Sequence, residues 1–137
     1  MNVIDFNVLF SSTTNSGLYS ADTKYGKSEI RQATEKYGFE MTSLSFDRIS
    51  TKLGFLRRVA KVFHFPVYFG HNWDALKDSL TDLSWKPAKG YVILITHFQS
   101  LKNKMPEDFE VIKEIFRSSA SYWKDQGKPF FVILLDG

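Results

Sequence analysis

Residues 91–135 read YVILITHFQSLKNKMPEDFEVIKEIFRSSASYWKDQGKPFFVILL, and this stretch decides the fold. It begins and ends with apolar runs, residues 91–95 and 130–135, in which polar residues do not alternate with apolar ones. Such runs are typical of strands that are covered on both faces, as in parallel sheets. Between the runs, Pro106 and Glu107 are suited to open a helix, and Gly127 is suited to follow its end. The stretch therefore predicts a strand, a helix and a second strand parallel to the first.

Further elements are predicted upstream. An amphipathic helix ends at Gly38, a strand covers residues 39–44, and a second helix starts at about Thr51 with Ser50 as its cap. A short edge strand is expected around Leu18, whereas residues 3–10 suit either a small helix or a strand. The buried faces of the two helices are expected to consist of Ile30, Ala33 and Tyr37 in the first, and of Leu53, Leu56, Val59 and Phe63 in the second.

These elements predict an α/β fold with three layers, in which a small, mainly parallel sheet is flanked by helices. A chain of 137 residues suits a single domain that buries about two-thirds of the surface its unfolded form exposes. No low-complexity or Pro/Gly/Ser-rich linker divides the sequence. We therefore expect one domain over residues 1–137.

Composition indicates the compartment. Cysteine is absent, which excludes disulfides and thiolate metal sites and fits a reducing environment. The N-terminal residues MNVIDFNVLF lack the basic start of a signal peptide, and no apolar run approaches the roughly 18 residues of a membrane span. Cytoplasmic residence without membrane contact is the expectation.

Residues 65–85, FPVYFGHNWDALKDSLTDLSW, carry the most informative polar pattern. Asn72 is a candidate N-cap for a helix. At about 100° per residue, Asp74, Asp78 and Asp82 then lie on one side of it. The opposite, apolar arc consists of Trp73, Leu76, Leu80 and Leu83. The segment predicts a helix that buries its apolar side and exposes three carboxylates.

The charge of this segment differs from that of the rest of the chain. Residues 65–85 contain three Asp and one Lys, so the segment stands at −2 while the whole chain stands at +3 and the remainder at +5. Asp74 is favoured by the dipole of the first helical turn, but Asp78 and Asp82 are not. From the pattern alone, a solvated helix face without function explains these three carboxylates as well as a binding role does. An anionic helix on a basic protein also suits a cationic partner.

The run from Tyr68 to Leu76, YFGHNWDAL, preceded by Pro66 and continued by Asp78 and Leu80, resembles the barstar family of intracellular ribonuclease inhibitors. A looser match extends from about Phe39 to the C-terminus. It takes in the strand start at Gly90, the helix with Phe116 and Trp123, and the closing residues 127–132. Residues 1–38 resemble the extension of longer members, before a barstar-like core over residues 39–137.

The resemblance implies a protein that blocks the active site of an extracellular or delivered ribonuclease, either barnase-like or another small basic enzyme, as an inhibitor or toxin-immunity protein. Such nucleases hold RNA phosphates with cationic side chains, and carboxylates can occupy the same positions by charge-assisted hydrogen bonds. Asp74 and Asp78 match the two helix aspartates of the family, and Tyr68 matches the aromatic against the nuclease cleft. The expected partner-binding residues are Tyr68, Gly70, His71, Asn72, Asp74, Lys77, Asp78 and Asp82.

Three positions depart from the family pattern, one of them Leu83, which replaces an aromatic near the helix end. Lys77 stands where the type member has an exposed Trp, and Ser118 stands where it has a further acidic contact. Both changes reduce complementarity to a barnase-like cleft. Membership of the family is therefore a firmer expectation than binding to barnase itself.

Catalytic chemistry is not indicated. His64 lies between Phe63 and Phe65 and is expected to be at least half-buried, while His97 has no carboxylate tied to it in sequence. The three aspartates are too widely spaced along a helix to share one metal ion without further ligands. Gly-rich phosphate loops and nucleophile motifs of the G-x-S-x-G type are missing. We expect no catalytic residues, no metal and no cofactor.

Two other functions stay open from the sequence. A basic RNA-binding or ribosome-associated module would use Arg57, Arg58 and Lys61, in keeping with a pI near 9.1. A small hydrolase would centre on His97. The leading interpretation, an inhibitor, expects no direct contact with nucleic acid.

Overall fold

The fold is built on a four-stranded sheet in which every neighbouring pair of strands is parallel. The computed structural model describes residues 4–22, 26–67 and 69–136. The strands are β1 (Gly17–Asp22), β2 (Glu40–Ser45), β3 (Tyr91–Thr96) and β4 (Phe130–Asp136), in the spatial order β1-β4-β3-β2. β3 and β4 occupy the centre, and β3 and residues 130–135 of β4 are buried, which confirms the two apolar runs as the middle of a parallel sheet.

Six α-helices connect or flank these strands in the described ranges. They are α1 (Phe6–Leu9), α2 (Gly26–Tyr37), α3 (Lys52–Phe63), α4 (Trp73–Leu80), α5 (Gln99–Lys104) and α6 (Pro106–Asp125), with a 3-10 turn over Thr13–Asn15. Pro106 is the first residue of α6, and Gly127 follows its end with φ 77°, as the sequence predicted. α5 was not predicted. Within the described residues no helix combines the length and apolarity needed to cross a bilayer.

Two apolar clusters lie on opposite faces of the sheet and make the fold three layers deep. Alternate side chains of β4 divide between them, since Phe131 and Ile133 face α1 and α2 whereas Phe130 and Val132 face α3 to α6. This arrangement confirms the predicted α/β class with helices on both faces.

The residues before the resembling core contribute structure to the same sheet. β1 pairs with β4 along its whole length, with Gly17 beside Phe131 and Asp22 beside Asp136. The edge strand predicted at Leu18 is therefore confirmed and is longer than expected. The ambiguous segment before it forms α1, because the Asp5 carboxylate accepts from the amides of Asn7 and Val8 and caps the helix.

Two expectations for α3 are wrong. Its cap is Thr51 rather than Ser50, because the Thr51 hydroxyl accepts from the Gly54 amide at 3.0 Å. A Cβ at Gly54 would lie 3.0 Å from that hydroxyl, so glycine leaves room for the cap. Leu53 is 44% exposed rather than buried, because a different face of the helix packs against the core. That face consists of Phe55, Leu56, Val59 and Phe63.

Candidate functional site

The acidic helix begins where the sequence places it. The Asn72 side-chain oxygen accepts from the Ala75 amide at 2.7 Å, which caps α4, and Asp74 lies in the first turn. The turn before the helix is closed by a hydrogen bond from the Phe69 amide to the Pro66 carbonyl at 2.9 Å. Phe65 is buried, and its ring centre lies 4.9 Å from that of Phe69, with the two rings tilted by 52°. The turn is thus anchored by the core on one side of the helix start.

The helix ends earlier than expected, and this changes the position of one aspartate. α4 ends at Leu80, and Asp82 lies in the turn that follows rather than on the helix. The Thr81 hydroxyl bonds back to the Lys77 carbonyl at 2.8 Å, and Leu83 adopts φ 49°, which a continuing helix does not permit. Leu83 nevertheless fills the core, with 1% of its surface exposed.

All three aspartates are exposed to solvent. Asp74, Asp78 and Asp82 form no ion pair with any residue in the described part of the chain. Four residues of helix separate Asp74 from Asp78, a rise of about 6 Å. Two unpaired carboxylates at this spacing can each accept hydrogen bonds from a cation supplied by another molecule.

A shallow concavity of about 430 Å³ lies beside these carboxylates. It is lined by Phe69, Gly70, Asn72, Asp74, Ala75, Asp78 and Ser79. The structure therefore brings four of the predicted residues, Gly70, Asn72, Asp74 and Asp78, to one surface. Ser79 was missed, although it lies four residues after Ala75 and so on the same side of the helix. A depression with two carboxylates at its wall suits a guanidinium or ammonium group.

Lys77 is half-buried against the neighbouring helix rather than free in solvent. Its ammonium group donates to the Ser118 hydroxyl of α6 at 2.9 Å. Lys77 and Ser118, two of the departures from the family pattern, therefore contact each other. The hydrogen bond holds a positive charge on α4 three residues after Asp74 and one before Asp78 without pairing with either, so the helix carries both signs.

Tryptophans support the site from the core side. The Trp123 indole donates to the Leu80 carbonyl at 2.8 Å, and the Trp85 indole donates to the Phe63 carbonyl at 3.1 Å. Trp73 packs on Phe55, with the Lys52 ammonium 4.7 Å from its ring centre. These contacts place the three indoles against the core.

The remaining predicted residues are placed as follows. Tyr68 lies outside the described residues. His71 is exposed in the turn at φ 51°, with its ring 4.8 Å from that of Phe69. His64 is exposed as the left-handed C-cap of α3, so the expectation that it is at least half-buried is wrong.

His97 and the surface carboxylates are the residue types that could support catalysis or bind a metal. The His97 ring nitrogen Nδ1 lies 3.3 Å from the Ser45 hydroxyl and 3.2 Å from that of Thr96. Among the residues that the structure describes, no three His, Asp or Glu side chains group as a metal site. Asp74 and Asp78 of α4 are exposed at the surface.

Comparison with known protein families shows which family the chain belongs to. The family model described as Barstar (barnase inhibitor) matches residues 39–135. The chain belongs to the barstar family. Barstars are inhibitors of barnase-like ribonucleases, and the barstar model begins one residue before β2, so β1, α1 and α2 precede it.

Other comparisons bear on the fold. Among solved structures, this barstar-family chain is similar to the ORC2 protein of Aeropyrum pernix, determined as ADPNP-ADP complexes, with a TM-score of 0.58 and 14% identity. The similarity covers 88% of this chain and 34% of that one, about a third of its length, and it shows a likeness of fold alone. A search of curated proteins finds no match.

Proposed function

We propose that this protein inhibits a small basic ribonuclease by covering its cationic active site with the concavity and the exposed carboxylates of α4. The observation that carries the proposal is the pair Asp74 and Asp78, both exposed and without an internal cation among the described residues. A folded protein gains no stability from leaving a mid- or late-helix carboxylate such as Asp78 unpaired. An external cation explains the position better.

The mechanism is one of phosphate mimicry. A ribonuclease that grips RNA presents Arg, Lys and His side chains where phosphate oxygens bind. The two carboxylates offer acceptor oxygens about one helical turn apart, on a surface preorganised by the Asn72 cap. Complex formation then excludes RNA because both would occupy the same cationic groups.

Charge distribution supports the encounter. Residues 65–85 stand at −2 on a chain of +3, so a cationic nuclease is attracted to this segment and repelled by the remainder. The attraction steers the nuclease towards α4 and orients it. Tyr68 and His71 are proposed as further contacts with the nuclease. Cytoplasmic residence, where such an inhibitor would protect its own cell, stays a prediction.

The experiment is an inhibition titration with purified barnase-type and other small basic ribonucleases, using RNA cleavage as the readout. Asp78→Ala is expected to weaken binding by roughly 2 to 5 kcal/mol, because it leaves a desolvated cation of the nuclease unpaired. The melting temperature should stay nearly unchanged, since the side chain makes no ion pair within the described residues.

The matched control is Glu35→Gln on α2, which removes one negative charge on the opposite side of the sheet. It should inhibit like the wild type. If Asp78→Ala inhibits as well as Glu35→Gln, or if the wild type slows none of the basic ribonucleases, the proposed function is wrong.

A further inference from the structure

A second charged surface lies on α3, outside the acidic site. From Arg48 to Trp73 the chain contains no Asp or Glu. Leu53, Arg57, Lys61 and His64 are all exposed and recur at spacings of four, four and three residues, so they form one stripe along α3 and its C-cap. This set of four residues is called the basic stripe below.

The two cations of the basic stripe are unpaired within the described part of the chain. Lys86, Lys113 and Arg117 each form an ion pair with a Glu, but Arg57 and Lys61 form none. Their neighbour Arg58 has a different task, because its guanidinium donates to the carbonyls of Ser45 at 2.7 Å and of Asp47 at 3.2 Å. Arg58 therefore stabilises the end of β2, while Arg57 and Lys61 remain available.

The chemistry of α3 favours a polyanion over a membrane. Its large apolar side chains, Phe55, Leu56, Val59 and Phe63, are 0–1% exposed and belong to the core. Only Leu53 is apolar on the outer face, so the helix has no apolar side to insert between lipids. Two unpaired cations about 6 Å apart along a helix suit a ligand with repeated negative charges.

We propose that the basic stripe binds the phosphate backbone of single-stranded nucleic acid without reading its bases. Arg57 and Lys61 contact phosphates, and His64 adds a hydrogen-bond donor at the end of the helix. This contact lies outside the acidic concavity and does not depend on nuclease inhibition. A second copy of the chain is a weaker candidate, because two molecules that each carry +3 repel one another.

The test is fluorescence anisotropy of the full chain with fluorescein-labelled U15 and dT15 oligonucleotides at 20 and 200 mM KCl. We expect both to bind with similar affinity, since the backbone is shared. Two phosphate contacts, from Arg57 and Lys61, predict a loss of roughly 25-fold over this tenfold change in salt, from a slope of about −0.7 per contact on single strands. A tenfold preference for one oligonucleotide, or the absence of binding at 20 mM KCl, would overturn the proposal.

Variants separate the basic stripe from general charge. Arg57→Glu with Lys61→Glu should weaken binding at least tenfold. Lys102→Glu with Lys104→Glu makes the same change in net charge at exposed positions of α5 and should have a much smaller effect. Equal losses in the two double variants would contradict a site on α3, as would binding to phosphatidylglycerol vesicles without binding to oligonucleotides.

Further measurements distinguish loss of the phosphate contacts from other effects of the substitutions. Arg57→Ala with Lys61→Ala, checked by circular dichroism, should reproduce most of the loss while avoiding new negative charge. Both double variants on α3 should inhibit a sensitive ribonuclease at least as well as the wild type, because the carboxylates of α4 are untouched and the remainder of the chain repels a cationic nuclease less. Sedimentation that shows a salt-sensitive dimer, lost in the Arg57 and Lys61 variants without any oligonucleotide binding, would assign the stripe to self-association and defeat the proposal.

Discussion

The Trp123 indole of α6 donates a 2.8 Å hydrogen bond to the Leu80 carbonyl, the last residue of α4. This carbonyl is one of the orphan acceptors that every helix end leaves without a partner in the helix. The contact therefore holds the end of the acidic helix against α6 and limits how far Asp78 can move.

Trp123→Phe is expected to lower the free energy of unfolding by about 1 kcal/mol through loss of this hydrogen bond. Chemical denaturation measures the change, and hydrogen exchange at the Thr81 amide should become faster. Trp85→Phe, which loses the bond to the Phe63 carbonyl instead, is the comparison. It should cost a similar free energy without loosening α4, and equal exchange at Thr81 in both variants would contradict the assignment.

Asn72 is expected to stabilise the fold by accepting the hydrogen bond that caps α4, rather than simply by being polar. Asn72→Ala removes the acceptor for the Ala75 amide and should cost about 1 kcal/mol of stability. Asn72→Asp keeps an acceptor and should retain most of that stability. Thermal unfolding of the wild type and the two variants gives their order of stability. An Asp variant as unstable as the Ala variant would show that loss of the acceptor is not the cause of the destabilisation.

Lys77 places a positive charge on a face proposed to meet cations. Lys77→Gln should strengthen inhibition of a barnase-type ribonuclease several-fold at low salt, chiefly through faster association. Stopped-flow association rates at two ionic strengths test this, with exposed Lys89→Gln as the charge-matched control. Slower association of the Lys77 variant would indicate instead that the partner presents an acceptor to this ammonium group.

Alkaline pH is expected to destabilise the fold through two tyrosines. Burial raises the pKa of Tyr91 above 10.0, and the charge of Glu40 adds to the rise; burial alone raises the pKa of Tyr19. The unfolded chain loses these protons first, so the stabilising contribution is complete below about pH 10 and is lost as the pH rises through the folded pKa values.

Denaturation at pH 8 to 11 measures this loss. Tyr91→Phe should flatten the decline above pH 10, and it should also cost stability at pH 8, since the Tyr91 hydroxyl donates to the Lys86 carbonyl at 2.6 Å. Exposed Tyr122→Phe is the control at both pH values. An alkaline decline as steep in Tyr91→Phe as in the wild type would assign it to other groups.

Local patterns were enough to predict the central sheet. The unbroken apolar runs of β3 and β4 identify buried parallel strands because only such strands exclude water from both faces. The Asn72 cap was also predictable, since its chemistry acts within three residues. By contrast, Ser50 and Thr51 both carry a hydroxyl that could cap α3. Only the backbone angles of the folded chain decide that Thr51 does so.

For this protein, the sequence by itself determined the α/β class, the family resemblance, the Asn72 cap and the acidic character of α4, because these depend on residue type, order and short spacing. Only the tertiary structure decided that α4 stops at Leu80, that Lys77 bonds to Ser118 and that Arg58 is committed to β2 while Arg57 is not. Those outcomes depend on contacts between residues far apart in the chain, which exist only after the helices pack on the sheet.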